Sequence, residues 1–184
     1  SASWNFISYR HWVFKKYDSA AKFPPYQPGL ISIVIPAYNE ALRLPERLQN
    51  LASTLPSSFP VEIIVVDDGS TDTTAAITRH IAETFPQISC ISYKRNRGKG
   101  KAVRTGMLAA RGEFLIFADA DNTFTPRHIE SLVAKLKAGN SIAIACRHGT
   151  NGQRIEGESW LRHLMGKCFN QLVQAILLPG IKDS

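Results

Sequence analysis

Cysteine is scarce in this 184-residue chain. Cys90, Cys146 and Cys168 are odd in number and far apart, with no CxxC and no Cys/His pairing. That excludes a zinc site of the usual spacing and reads as small, buried apolar residues in a reducing compartment. Long apolar runs are lacking too. No stretch of about 18 residues is hydrophobic enough to span a bilayer, and none has a signal-peptide pattern. Internal repeats and low-complexity tracts are absent. So are two standard phosphate loops. Gly100-Lys101 is followed by Ala102, and Gly98-Lys99-Gly100 meets Val103 where a third glycine would be needed. Neither the P-loop nor the dinucleotide fingerprint is therefore present.

The most informative absence is of acid. Seven cations (Lys94, Arg95, Arg97, Lys99, Lys101, Arg104, Arg111) lie between Lys94 and Arg111 with no Asp or Glu among them. The rest of the chain balances at 15 cations against 15 acids, so the net charge of +7 belongs to one basic locus. A general nucleic-acid binder spreads its cations over a whole face. A nucleotide- or nucleic-acid-binding module using residues 94–111 nevertheless stays open as a rival to an enzyme.

The chain has the length of one domain. Its first 29 residues stand apart: Trp4, Phe6, Tyr9, Trp12, Phe14 and Tyr17 mix with Arg10, His11, Lys15 and Lys16, and PPYQPG at 24–29 reads as a proline-rich hinge. Aromatics beside cations suit a membrane interface. The folded domain, 30–184, is expected to begin near Leu30. There, apolar β-branched runs at 31–35, 61–66, 88–93, 113–118 and 141–146 alternate with helical patterns at 41–55, 71–85, 99–110 and 126–137. Thr125 and Pro126 supply an N-cap and a first-turn proline for the fourth helix. A last apolar helix is expected over 159–178. Such alternation predicts an α/β domain, a mainly parallel sheet flanked by helices, with its ligand crevice at the carboxyl ends of the strands.

The segments that leave those ends are therefore the candidate site. They read PAYNE, DDGSTD, KRNRGKGK, DADN and RHGTNG. Tyr38 offers an aromatic face. Asp67 and Asp68 sit against a turn glycine, where a carboxylate accepts from a ribose hydroxyl or a base N–H; alternatively Ser70 or Asp72 caps the next helix and Asp68 shapes the turn. Asp119 and Asp121, two apart on an extended segment, point the same way and repel unless a cation lies between them. Hard oxygens of this kind suit Mg²⁺ or Mn²⁺, which take further ligands from substrate phosphates. The glycine turn before the helix at 99–110, with its lysines, has the makings of a diphosphate cradle.

IPAYNE, VVDDGSTD, RNRGKGKAVRTGM, ARGE and FADAD, in this order, resemble the family 2 glycosyltransferases of the GT-A (nucleotide-diphospho-sugar transferase) fold. They are most similar to the dolichyl- or polyprenyl-phosphate β-glucosyltransferase branch, over about residues 31–146. The resemblance implies that Pro36, Ala37, Tyr38, Glu40, Val66, Asp67, Asp68, Lys99, Asp119 and Ala120 bind the nucleotide-sugar, with UDP-glucose favoured and GDP-mannose as the alternative. It implies that Asp119 and Asp121 are catalytic and hold Mg²⁺ or Mn²⁺, and that transfer inverts the anomeric carbon. A polyprenyl or dolichyl phosphate acceptor is already anionic and needs no general base. Arg147, Arg154 and Arg162 are the candidates to hold its phosphate. A saccharide hydroxyl acceptor would instead need a carboxylate base, with Glu156 and Glu158 as suspects. The expected location is cytoplasmic, peripheral at the membrane face, with no nucleic-acid partner. The chain departs from the branch at Arg147-His148-Gly149, where a glycine-serine-arginine is usual, and at Asn122, where glycine often follows. The resemblance also implies further acceptor-side sequence after PGIKDS.

Overall fold

The computed structural model describes residues 5–9, 24–25, 27–55, 59–120, 125–140 and 142–145, all within the compact unit Ser1–Ala145. Asp121, Asn122, Arg147, Glu156, Glu158, Arg154, Arg162 and the helix expected over 159–178 lie outside the described residues.

Among the described residues ten elements follow in order: β1 (Asn5–Tyr9), β2 (Gln27–Ala37), α1 (Leu44–Thr54), β3 (Val61–Asp67), α2 (Thr74–Thr84), β4 (Ile88–Ser92), α3 (Lys99–Ala109), β5 (Gly112–Phe117), α4 (Pro126–Lys137) and β6 (Ile142–Ala145). The strands make one six-stranded sheet in the order β4-β3-β2-β5-β1-β6. Strands β2, β3, β4 and β5 run parallel, as the buried runs predict. Strand β1 is antiparallel to both of its neighbours, β5 and β6.

The alternation of side chains along each strand divides the core into two layers. Ile31, Ile33, Ile35, Ile63, Val65, Phe114 and Ile116 point to one face, where Leu44 and Leu48 of α1, Ile81 of α2, and Ile129, Leu132 and Leu136 of α4 cover them. Val34, Ile64, Val66 and Leu115 point to the other, beneath Ala102 and Met107 of α3. Each fully buried Leu, Ile or Phe contributes about 1.5–3 kcal/mol of transfer free energy, so burial on both faces is what holds the parallel sheet together.

Three boundaries differ from the sequence expectation, each for a local reason. The sheet takes in Asn5–Tyr9, and β2 begins at Gln27, inside the stretch that reads as a hinge. Pairing with β5 and β6, rather than any periodicity of NFISY, places β1. Helix α1 starts at Leu44 rather than at Ala41, because Pro45 suits a first turn and the N–H of Ala41 is held by Asp72 Oδ2 at 3.1 Å. Helix α2 starts at Thr74 because Thr71 and Asp72 bond to neighbouring loops. Among the described residues no helix is long and apolar enough to cross a membrane.

Candidate active site

Parallel register sets the carboxyl ends of the strands side by side. Ala37 pairs with Asp67, Asp67 with Ser92, and Val34 with Phe117. The segments that leave these ends are tied to one another. Asn39, in the left-handed region at φ 55, donates its main-chain N–H to Ser70 Oγ (2.9 Å), and its Oδ1 accepts from the Thr71 N–H (2.9 Å). The N–H of Glu40 donates to Thr74 Oγ1 at 2.9 Å. Asp72 Oδ1 accepts from the N–H of Thr74 at 2.9 Å, so Asp72 tethers the start of α2 while its other oxygen holds Ala41. Burial raises the Asp72 carboxyl, but the bonds from Thr74 and Ala41 together hold it below its ordinary value of 3.8. This ladder positions Tyr38 and Glu40.

A second tie fixes the basic loop. Asp68, 4% exposed, accepts the N–H of Arg97 on Oδ1 at 2.8 Å. Gly69 sits at φ +72, and a Cβ there would overlap the main chain of Arg95 and lie 2.6 Å from the Asn96 nitrogen. Only glycine allows this turn and this backbone contact together. The loop is thus held from two sides, and Asn96 Oδ1 accepts the N–H of Gly98 (3.1 Å) before α3 begins at Lys99.

The result is a cleft of about 350 Å³ lined by Pro36, Ala37, Tyr38, Glu40, Asp68 and Lys99, with Asn96, Gly98, Asp119 and Ala120 completing the wall. Tyr38 is 45% exposed, the conformation of an aromatic surface available to a planar ligand. The N-terminus of α3 meets the cleft at Gly98 and Lys99, bringing main-chain N–H groups and the positive end of the helix dipole to it. Lys99 Nζ lies 2.6 Å from Asp119 Oδ1, the acid 11% and the lysine 60% exposed, and 5.4 Å from the Phe117 ring centre.

The cleft brings together most of the residues singled out from sequence. Two go elsewhere: Val66 is fully buried under α3, and Asp67 turns Oδ1 to the N–H of Ser70 (3.3 Å). Gly98, of the glycine turn that the sequence offers as a cradle, lines the cleft, and so does Asn96, to which sequence reasoning gave no role. Among the described residues no three His, Cys, Asp or Glu side chains converge as a metal cluster. Asp119 does fit a divalent cation that draws its other ligands from diphosphate and water, because it faces the cleft and already attracts a cation. Cys90 does not line the cleft, and burial, with a smaller push from Asp67, holds its thiol above the ordinary value against the lowering effect of Arg79.

The family described as glycosyl transferase family 2 matches residues 32–182. The dolichyl-phosphate beta-glucosyltransferase of Dictyostelium discoideum is 34% identical over 168 residues, 84% of this chain and 51% of that protein. The protein of the same name from Homo sapiens is also 34% identical over 168 residues, covering 84% and 52%. The chain thus spans about half the length of the curated relatives it matches. In fold, residues 1–349 of TarS from S. aureus superpose with a TM-score of 0.53 at 25% identity, over 69% of this chain and 38% of that one.

Proposed function

The chain belongs to glycosyl transferase family 2, and from that premise we propose that it transfers a sugar, glucose foremost, from a nucleoside-diphosphate sugar to a polyprenyl phosphate with inversion. The observation that carries this reading is the Lys99–Asp119 pair on the wall of a cleft that Tyr38 and Asp68 also line. One cleft then offers an aromatic surface for a base, acceptors for ribose or base donors, and a cationic helix start for a diphosphate. The names of the two relatives support glucose and a lipid phosphate.

In this reading the base of UDP-glucose lies against Tyr38 and Pro36, with Asp68 and Glu40 accepting from its N–H and ribose hydroxyls. The diphosphate meets the N–H groups that start α3 and the Lys99 ammonium. Asp119, with Asp121, would hold Mg²⁺ or Mn²⁺, and the ion would supply positive charge to the departing diphosphate. An oxygen of the acceptor phosphate forms the new bond to the anomeric carbon from the face opposite the diphosphate, as the old carbon–oxygen bond breaks and its electron pair leaves with the nucleoside diphosphate. No protein base is needed, since the attacking phosphate is anionic at neutral pH. Lys99 turns from Asp119 toward the leaving group, stabilising charge where it develops. Arg147, Arg154 and Arg162 are the proposed holders of the acceptor phosphate, and the working location is the cytoplasmic membrane face.

Thermal unfolding with UDP-glucose, GDP-mannose or short single-stranded DNA, each with and without Mn²⁺, tests the reading. A ligand at a hundred times its Kd adds about 2.7 kcal/mol. A manganese-dependent rise with UDP-glucose is expected. A rise with DNA alone, or with none of the three, would overturn it.

A further inference from the structure

The cleft accounts for few of the basic locus's seven cations. Lys99 pairs with Asp119, and Arg111 with Glu62 at the other end of the sheet. Lys94, Arg95 and Arg97 belong instead to a separate concavity of about 390 Å³, which they line with Ser92 and Tyr93. It lies at the carboxyl end of β4, the edge strand of the sheet. All three side chains are exposed, and among the described residues none makes an ion pair with a carboxylate. A fourth cation stands beside them, since Arg79 NH2 donates to Ser92 Oγ at 2.5 Å.

This concentration of like charge is held in place. The main-chain tie from Arg97 to Asp68 and the contact of Gly69 with Arg95 and Asn96 fix the loop so that Asn96 and Gly98 face the donor cleft while their neighbours face the second concavity. The one aromatic ring there has its contacts made. Tyr93 donates its hydroxyl to Thr105 Oγ1, and the Arg97 guanidinium lies 5.8 Å from its ring centre. A ring so covered is a poor stacking platform for nucleic-acid bases, which bind single strands largely through such stacking. What is left is cationic and open, the character of a surface that meets phosphate groups in bulk.

We propose that Lys94, Arg95 and Arg97 dock the enzyme on anionic lipid headgroups, beside but separate from the donor cleft. The inference rests on the lipid-phosphate reading above, which requires the cleft to work at a lipid surface. Because the loop is anchored through main-chain atoms, its cations meet headgroup phosphates without moving the Asp68 side of the cleft.

The test uses the full chain and its Lys94→Gln/Arg95→Gln/Arg97→Gln variant in co-sedimentation with vesicles of phosphatidylcholine, alone or mixed with phosphatidylserine. Three cations near a charged surface account for a loss on the order of a hundredfold in affinity for the mixed vesicles at low salt. That loss is expected, with the UDP-glucose and Mn²⁺ response of the variant kept. The Arg95→Lys/Arg97→Lys variant should bind mixed vesicles as the parent does, because the attraction needs charge rather than a guanidinium fork. Equal vesicle binding by parent and glutamine variant would overturn the proposal. So would a parent that binds only inorganic phosphate, or only short single-stranded DNA, in a manner the glutamine variant loses. Failure of the functional reading is distinguishable from these, since the parent itself would then show no donor response.

Discussion

Two carboxylate–cation pairs stand at opposite ends of the same sheet. At the carboxyl ends, Asp119 meets Lys99 through one contact of 2.6 Å. At the amino ends, Glu62 meets Arg111 through Nε and NH2, each at 3.0 Å, and also accepts from the Arg111 N–H and from Ser32 Oγ, both at 2.6 Å. The two acids are equally shielded, each side chain 11% exposed. Burial therefore does not separate them; saturation does. Glu62 has its oxygens filled by donors from Ser32 and Arg111, on two other segments of chain, and Ser32 Oγ in turn accepts the N–H of Gly112 at 2.7 Å. A Cβ at position 112 would lie 2.5 Å from that oxygen, so the close turn needs glycine. Nearby, Glu113 Oε2 accepts the N–H of Gly29 at 2.8 Å. ARGE, which on sequence alone only helps to carry the family resemblance, is here a clamp between β2, β3 and β5. The pair at the cleft is the reverse: a single bond, a mostly exposed lysine, and room beside it for a ligand.

If that contrast is right, the two ends should break differently. The largest loss is expected at the amino end. Glu62→Ala leaves the Ser32 hydroxyl and the Arg111 N–H without their acceptor and should cost about 3 kcal/mol in urea unfolding, while the Kd for UDP-glucose of the folded fraction stays unchanged. Next comes the turn that packs on the basic loop. Gly69→Ala sets a Cβ against the main chain of the basic loop at a positive φ, so a loss of about 2 kcal/mol is expected, accompanied by weaker donor binding. Third, Lys99→Met should weaken donor affinity roughly tenfold, the scale of one charge-assisted bond, while the unfolding midpoint moves little because so exposed a pair contributes at most about 1 kcal/mol. The smallest effect is a pH effect at Asp72. Its folded carboxyl lies below 3.8, so its contribution is present above the unfolded value and fades as pH falls through the folded one. Asp72→Asn should flatten the acid limb of the stability curve slightly below about pH 4 and leave neutral-pH binding nearly as it was.

Much of this was legible in the chain because the relevant physics is local. Runs such as ISIVI and VEIIVV are apolar at both parities, and both parities are buried in the structure. Given parallel strands, the segments that follow them have to meet, so Tyr38, Asp68, Lys99 and Asp119 could be grouped from order alone. What was illegible depends on distant partners. NFISY becomes a strand by inserting between β5 and β6. Asp67 and Asp68 are adjacent and alike in type, yet one serves a turn and the other lines the cleft while it holds Arg97. The seven cations form one cluster in sequence, but the clamp at Asp68 and Gly69 divides four of them between two concavities, and Lys101, Arg104 and Arg111 line neither.

The most direct test of the account is Asp119→Asn, compared with the parent chain in two titrations: UDP-glucose with and without Mn²⁺ by calorimetry, and urea at the same pH. The account expects the manganese-dependent part of donor binding to vanish while the unfolding free energy stays within about 1 kcal/mol of the parent. Unchanged metal-dependent binding together with a loss of several kcal/mol would contradict it, and would make Asp119 the same kind of structural residue as Glu62.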